Sequence, residues 1–375
     1  MHRAVFLIII IFTIIGPASA QVFREKFELK ESENFGVNPL ENKYDHRAIP
    51  VLSDNNTNLL LLAATSGSLE AFYLKKGSLK LVKHIRSAVP DVRQLNSMIG
   101  AFQMDSMKYA AIFTDKKQDN FVAYEIDLAA DTIRSTDFSF GLVNEKILHT
   151  FNADGDFFIL TVAGRSSTLK LYRIFNSQRG NISLSRYAYD FSSSAQDNTL
   201  PSLYKELLEF VVRGNQQIVK LREEEAPSPV AAGSYFKLYF SDEKAILTMD
   251  HIHGRTSIYE MILDSKLKDF SLVPYPDYIT NNPYRYTTNS ILKNDTLVQL
   301  AIGKESLELF VHDIASDTMI TEFSISTEAM KKAASNLIYR NDTVGINKQA
   351  KNFGYIYKDL YKNKVAISVH QIEAN

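Results

Sequence analysis

The residues best spaced for chemistry begin with Asp250-His251-Ile252-His253, at the end of an apolar run. Strand alternation puts His251 and His253 on one face, about 6.5–7 Å apart. Two imidazoles and the Asp250 carboxylate could ligate Zn²⁺ with one donor from elsewhere. A polar turn is the stronger reading, because Gly254-Arg255 follows and the His-x-His spacing alone is a weak signal. Asn152-Ala153-Asp154-Gly155-Asp156 has the oxygen content of a calcium loop, but its glycine is misplaced and the terminal acid is missing. Asp154-Gly155 reads better as a hairpin turn. The segment Val273–Asn289 (VPYPDYITNNPYRYTTN) holds three prolines and four tyrosines, Tyr275, Tyr278, Tyr284 and Tyr286, with Arg285 between two of them. Proline fixes the backbone, tyrosine offers an apolar face with a polar tip, and arginine adds a carboxylate contact. That combination suits a peptide or a sugar ring. The competing reading packs the tyrosines between structural layers. A binding loop would present at least two of the rings to solvent together.

Glycoside chemistry would need two carboxyl groups roughly 5–9.5 Å apart on one face. Acidic residues occur at most turns, and the spacing singles out no pair. The sequence contains no Gly-x-Ser-x-Gly elbow, phosphate loop, dinucleotide fingerprint, His-Glu-x-x-His or EF-hand loop. It has no cysteine, which excludes disulfides, thiolate catalysis and thiolate metal sites. No cofactor is implied. The 42 basic and 43 acidic side chains leave a formal charge of −1, which argues against a general grip on nucleic acid.

The elements that must position these residues are short. Runs of β-branched and aromatic residues alternate with Gly, Asn, Asp and Lys, and helical windows are few. Three strands in series recur along the chain, with an aromatic near the middle of each second strand: Phe72, Tyr124, Tyr172, Tyr259, Phe310 and Tyr357. The spacing is close to fifty residues except between Tyr172 and Tyr259, where one further degenerate copy fits around Gly214–Leu221. Single meanders cannot bury both faces, whereas radial stacking buries them against each other. The pattern therefore predicts an all-β fold, a β-propeller of seven blades of antiparallel strands in one domain over 21–375. A fourth, outer strand of each blade is placed in Gln94–Phe102, Lys146–Phe151 and Tyr235–Phe240, and Val22–Leu29 is placed as a ring-closing strand. Leu200–Phe210 and Thr327–Ser335 read as short helices, the second capped by Thr327.

The chain opens with His2-Arg3, an apolar run Val5–Ile15 and the small-residue triplet Ala18-Ser19-Ala20. This is the pattern of a secretory signal over 1–20, and the run is too short to span a bilayer. No transmembrane segment is expected in the mature chain. Export without cysteine fits a bacterial periplasm or cell exterior.

The stretches QVFREKFEL, GRSSTLKLYRIF, SLYKELLEF and DEKAILTMDH resemble uncharacterised exported proteins of Bacteroidetes, particularly flavobacteria. The resemblance covers most of the mature chain and implies export. It carries no activity, because none of these strings is a catalytic signature.

The repeat and the lack of catalytic motifs point to an exported, non-catalytic binding or scaffold propeller with a protein, peptide or glycan partner. Tyr275, Tyr278, Tyr284, Arg285 and Tyr286 are its candidate contacts. The alternative is a propeller hydrolase or lyase acting on polysaccharide, which requires a convergent acidic cluster.

Overall fold

The computed structural model describes residues 47–52, 57–64, 68–88, 97–177, 180–192, 202–214, 216–221, 227–241, 243–252, 254–263, 265, 267–282, 285–326, 328–329, 338–341, 346–349 and 365–367. The predicted signal over 1–20, Val22–Leu29, Tyr284, His253 and Tyr357 lie outside the described residues. The chain divides into two compact units that meet in sequence at Glu209 and Phe210.

The first unit carries three four-stranded antiparallel meanders, each strand pairing with the next in sequence. Sheet A is β1 (Arg47–Leu52), β2 (Asn58–Ala64), β3 (Ser68–Lys75) and β4 (Lys80–Ala88). Sheet B is β5 (Ser97–Asp105), β6 (Lys108–Thr114), β7 (Asn120–Asp127) and β8 (Thr132–Gly141). Sheet C is β9 (Glu145–Ala153), β10 (Asp156–Ala163), β11 (Thr168–Asn176) and β12 (Ile182–Asp190). Leu60, Leu62, Leu69 and Ala71 of sheet A share a core with Tyr109, Ala111, Tyr124 and Ile126 of sheet B. The opposite face of sheet B, through Ala110, Ile112, Phe121 and Ala123, packs on Phe157, Ile159 and Tyr172 of sheet C. Sheet B is thus covered on both faces, which is why β6 reads as the unbroken apolar run YAAIF. At Gly100 a Cβ would fall 2.0 Å from the Phe157 ring, so the close approach of sheets B and C requires glycine there.

The second unit adds sheet D, with β13 (Val219–Leu221), β14 (Phe236–Phe240), β15 (Lys244–Met249), β16 (Arg255–Ile262) and β17 (Lys268–Pro274). Sheet E follows as β18 (Tyr286–Lys293), β19 (Thr296–Gly303), β20 (Ser306–Asp313) and β21 (Thr318–Ser326). A two-stranded ladder joins β22 (Ile338–Asn341) to β23 (Ile346–Gln349). Tyr239, Ile246 and Ile258 of sheet D share a core with Leu292 and Leu297 of sheet E. The fold is therefore all-β and made of propeller blades, four-stranded meanders stacked face to face. Five such meanders lie among the described residues.

The strand order corrects the placement of the fourth strands. The pieces predicted as outer strands, Gln94–Phe102, Lys146–Phe151 and Tyr235–Phe240, are β5, β9 and β14. They come before the other three strands, and β5 and β14 are largely buried. The exposed edge is the last strand of each meander, with β8 alternating and β21 exposed at every position but Ile325. The aromatics Phe72, Tyr124, Tyr172, Tyr259 and Phe310 sit in third strands, and all are buried. The stretch at Gly214–Leu221 forms no meander of its own among the described residues. Its Val219–Leu221 runs parallel to β14 and extends sheet D.

The predicted helix at Leu200–Phe210 is α1 (Leu203–Leu207), continued by a π-helix over Leu208–Arg213. Of the helix predicted over Thr327–Ser335, Glu328 and Ala329 are described and helical, and Ser326 Oγ accepts from Ala329 N at 3.2 Å. Asp154 and Gly155 both take positive φ, 49° and 80°, between β9 and β10, as the hairpin turn requires.

Candidate functional site

The segment Val273–Asn289 links sheets D and E, and its chain path splits its side chains into two sets. After β17, the chain turns at Tyr275-Pro276 into α2, a four-residue helix over Asp277–Thr280. Thr280 Oγ1 donates to Tyr275 O at 2.9 Å and to Gly254 O at 3.2 Å, and Tyr275 N donates to Gly254 O at 2.8 Å. Gly254 takes φ +90°, and a Cβ there would lie 3.1 Å from Thr280 Cα, so the Gly254-Arg255 turn is shaped for this contact.

Tyr275 points inward. It is buried, its ring meets Phe310 edge to face, and its hydroxyl donates to Asn289 O at 3.0 Å. Burial, with Asp250 nearby, pushes its phenol well above the ordinary tyrosine range. Tyr275 therefore belongs to the core and not to a contact surface. Tyr286 is half-buried against the same cluster, over Gly303. Arg285 is exposed at the end of the loop.

Tyr278 points outward and is 45 % exposed. Its hydroxyl donates to Glu308 Oε2 and lies 3.5 Å from Glu322 Oε1. Ser306 Oγ donates to the other Glu308 oxygen at 2.6 Å. Burial and the two carboxylates hold the Tyr278 phenol protonated far above its usual range. Glu308 is nearly buried, yet among the described residues hydroxyls meet it and no cation does. The other ionic sites differ. Glu70 is paired with His84 and Arg86, Glu125 with Arg134 and Lys108, and Glu145 with Lys170 and Arg186. The Tyr278 surface is thus a local anionic patch with an exposed aromatic at its centre. Of the four tyrosines, Tyr278 alone is exposed among the described residues, so the expectation of two rings offered together is not met there.

The same region holds a buried polar network that no sequence pattern predicts. Lys237 Nζ, fully buried on β14, donates to Asp250 Oδ2 at 2.9 Å and to Asn289 Oδ1 at 2.6 Å. Asp250 also accepts from Thr256 Oγ1 at 2.8 Å, from Ser290 Oγ at 2.8 Å and from Ser290 N at 3.1 Å. Asn289 Nδ2 donates to Ala232 O at 3.1 Å and to Val365 O. Desolvation lowers the Lys237 pKa, against the pull of Asp250. Every member is enclosed, so the network fixes sheet D to sheet E rather than meeting a ligand.

The histidine reading changes accordingly. Asp250 spends its oxygens on this network, and the His251 ring packs at 4.6 Å from Phe210 and 5.0 Å from Phe236. No group of three metal-ligating side chains occurs among the described residues. Likewise, no helix among them is long and apolar enough to cross a membrane.

No protein-family model matches the chain, and no curated protein matches it. Among solved structures it is similar to a protein from Lactobacillus plantarum at 11 % identity and TM-score 0.36, covering 86 % of each chain. It is similar to the Dos1 propeller at 7 % identity and TM-score 0.35, covering 73 % of this chain and 57 % of that one. The WD40 domain of SCAP from fission yeast gives 10 % identity and TM-score 0.34, over 75 % of this chain and 53 % of that one. At these values the blade assignment rests on the chain's own strand order and shared cores.

Proposed function

We propose that the chain is an exported, non-catalytic binding propeller that receives a protein, peptide or glycan partner on the surface around Tyr278, Arg285 and Tyr286. The observation that carries this reading is the exposed Tyr278 ring set between Glu308 and Glu322, two carboxylates that form no ion pair among the described residues. An exposed aromatic backed by fixed polar groups is the usual composition of a contact centre. The leader-like first twenty residues support export.

The hydrolase alternative would use Glu308 and Glu322, which share the Tyr278 phenol. Glu308 is buried, and both of its oxygens already accept hydrogen bonds, from Tyr278 and Ser306. That occupancy favours binding over acid–base work.

The test is capture from envelope extract and from a panel of soluble glycans, with wild type beside Tyr278→Ala and Arg285→Ala. Loss of a contact-centre residue is expected to weaken capture about tenfold or more. A partner retained equally by both variants would remove this surface as its site. A glycan that is consumed would return the hydrolase reading.

A further inference from the structure

The last strand of each meander exposes an edge, and the five edges are not alike. β4 carries Lys80, Lys83 and Arg86; β8 carries Arg134; β12 carries Arg186; β17 carries Lys268 and ends at Pro274. Basic side chains, proline and β-bulges keep sheet edges from pairing with other chains. β21, with the sequence TMITEFSIS, has no basic residue and no proline, its one charge is Glu322, and its bulge at Ile320 lies ahead of Thr321–Ser326. It is also the most open edge. Met319 is 53 % exposed, Ile320 58 % and Phe323 50 %, whereas β4, β12 and β17 each expose a single large apolar side chain, Val82, Leu184 and Leu272.

We infer that β21 is a docking edge for an extended peptide segment of a partner, one that alternates apolar residues with a lysine or arginine. The inference rests on the binding reading above and supplies its partner class. From Phe310↔Glu322 and Leu309↔Phe323 the pairing is regular to Ser306↔Ser326, so Thr321–Ser326 offers a regular edge. Glu322 and Phe323 point to opposite faces, as neighbours on a strand do. An added strand would place a cation beside Glu322, next to the Tyr278 and Glu308 patch, and an apolar residue beside Phe323 on the other face. Charge selects against pairing with the same strand of a second copy. A β21 strand contains no cation, so self-pairing would leave the Glu322 patch uncompensated.

The experiment uses the full chain and a fluorescein-labelled peptide, TVTVKVT, with its Lys→Glu twin, read by fluorescence anisotropy. The lysine peptide is expected to bind about five- to tenfold more tightly than the glutamate twin, the size expected for turning a rim contact from attraction to repulsion. Glu322→Lys is expected to invert that order, and Phe323→Thr to weaken both peptides. Both residues are exposed, and an unchanged thermal midpoint establishes that the variants fold. Binding of neither peptide, or equal binding of both by wild type and Glu322→Lys, would overturn the inference. So would concentration-dependent dimers that Phe323→Thr dissolves, which would make a second copy the occupant. If Tyr278→Ala loses an extract partner while neither peptide binds, the docking edge fails and the binding surface stands. If the peptides behave as expected while extract capture ignores Tyr278, the edge stands and the tyrosine surface fails.

Discussion

Glu145 in the first unit and Asp250 in the second are both buried carboxylates facing a lysine, but they are built for different work. Glu145 accepts from Lys170 Nζ at 2.5 Å, from Tyr172 hydroxyl at 3.0 Å and from Thr161 Oγ1 at 2.7 Å, all within sheet C. Its charge reaches water through the half-exposed Arg186, which also covers the Tyr172 ring. Asp250 has no such outlet. Its lysine is fully enclosed, and its partners come from both sheet D and sheet E. The contrast separates a charge that trims one sheet from a charge that joins two. A dry pair is more sensitive to losing one member, because the survivor cannot rehydrate.

The sharpest way to break the comparison is Lys237→Met. It strands Asp250 in a dry site and is expected to cost about 3–5 kcal/mol in urea unfolding. A loss below about 1 kcal/mol would mean that the network is hydrated and the contrast is wrong. Glu145→Gln keeps the shape and removes the charge. Its expected cost is smaller, about 1–3 kcal/mol, since Lys170 and Arg186 retain access to solvent. Equal losses in the two variants would erase the distinction.

Alkaline titration tests the tyrosines of both units. Burial raises the pKa of Tyr172, with Glu145 adding to it, and that of Tyr278, with Glu308 and Glu322 adding to it. A phenol whose folded pKa is raised contributes stability that is full below about pH 10, the unfolded value, and is lost as pH climbs. Chemical unfolding between pH 9 and 11 should show stability falling, with a shallower fall in Tyr172→Phe and in Tyr278→Phe. A slope unchanged in both variants would contradict the geometry.

The smallest effect concerns a turn. Asp127 Oδ1 accepts from Ala129 N and Ala130 N, both at 2.9 Å, and the Ala130 bond leads the causes that lower its pKa. That contribution is present above about pH 4 and fades as pH falls through the folded value. Asp127→Ala should therefore destabilise less than Glu145→Gln, and thermal midpoints of variant and wild type should converge in acid. A gap that persists in acid would show that the cap acts through shape and not charge.

This turn also shows what was legible. Asp127-Leu128-Ala129-Ala130-Asp131-Thr132 and Asp313-Ile314-Ala315-Ser316-Asp317-Thr318 are one motif repeated. Asp131 and Asp317 take positive φ at the same place, and Leu128 N and Ile314 N bond back to the carbonyls of Met107 and Asp295. The repeat stood in the sequence, and it marks the turn from the third strand to the last, so the pieces placed as outer strands had to come first. Apolar runs report burial, and the first strands β5 and β14 are largely buried, as the middle strands are. The tyrosine loop was half legible. Its composition marked the segment, but whether a ring turns in or out depends on α2 and on Gly254, which lies two strands earlier.

By itself the sequence determined the kind of element and its period, because alternation, turn residues and the recurring aromatic act over a few residues. Tertiary structure decided which charges are enclosed and which are offered. Lys237, Asp250 and Asn289 are far apart in the chain and meet only when sheet D packs on sheet E. Tyr278, Glu308 and Glu322 meet the same way at the rim. Burial and charge pairing are sums over neighbours in space, and no local pattern contains those neighbours.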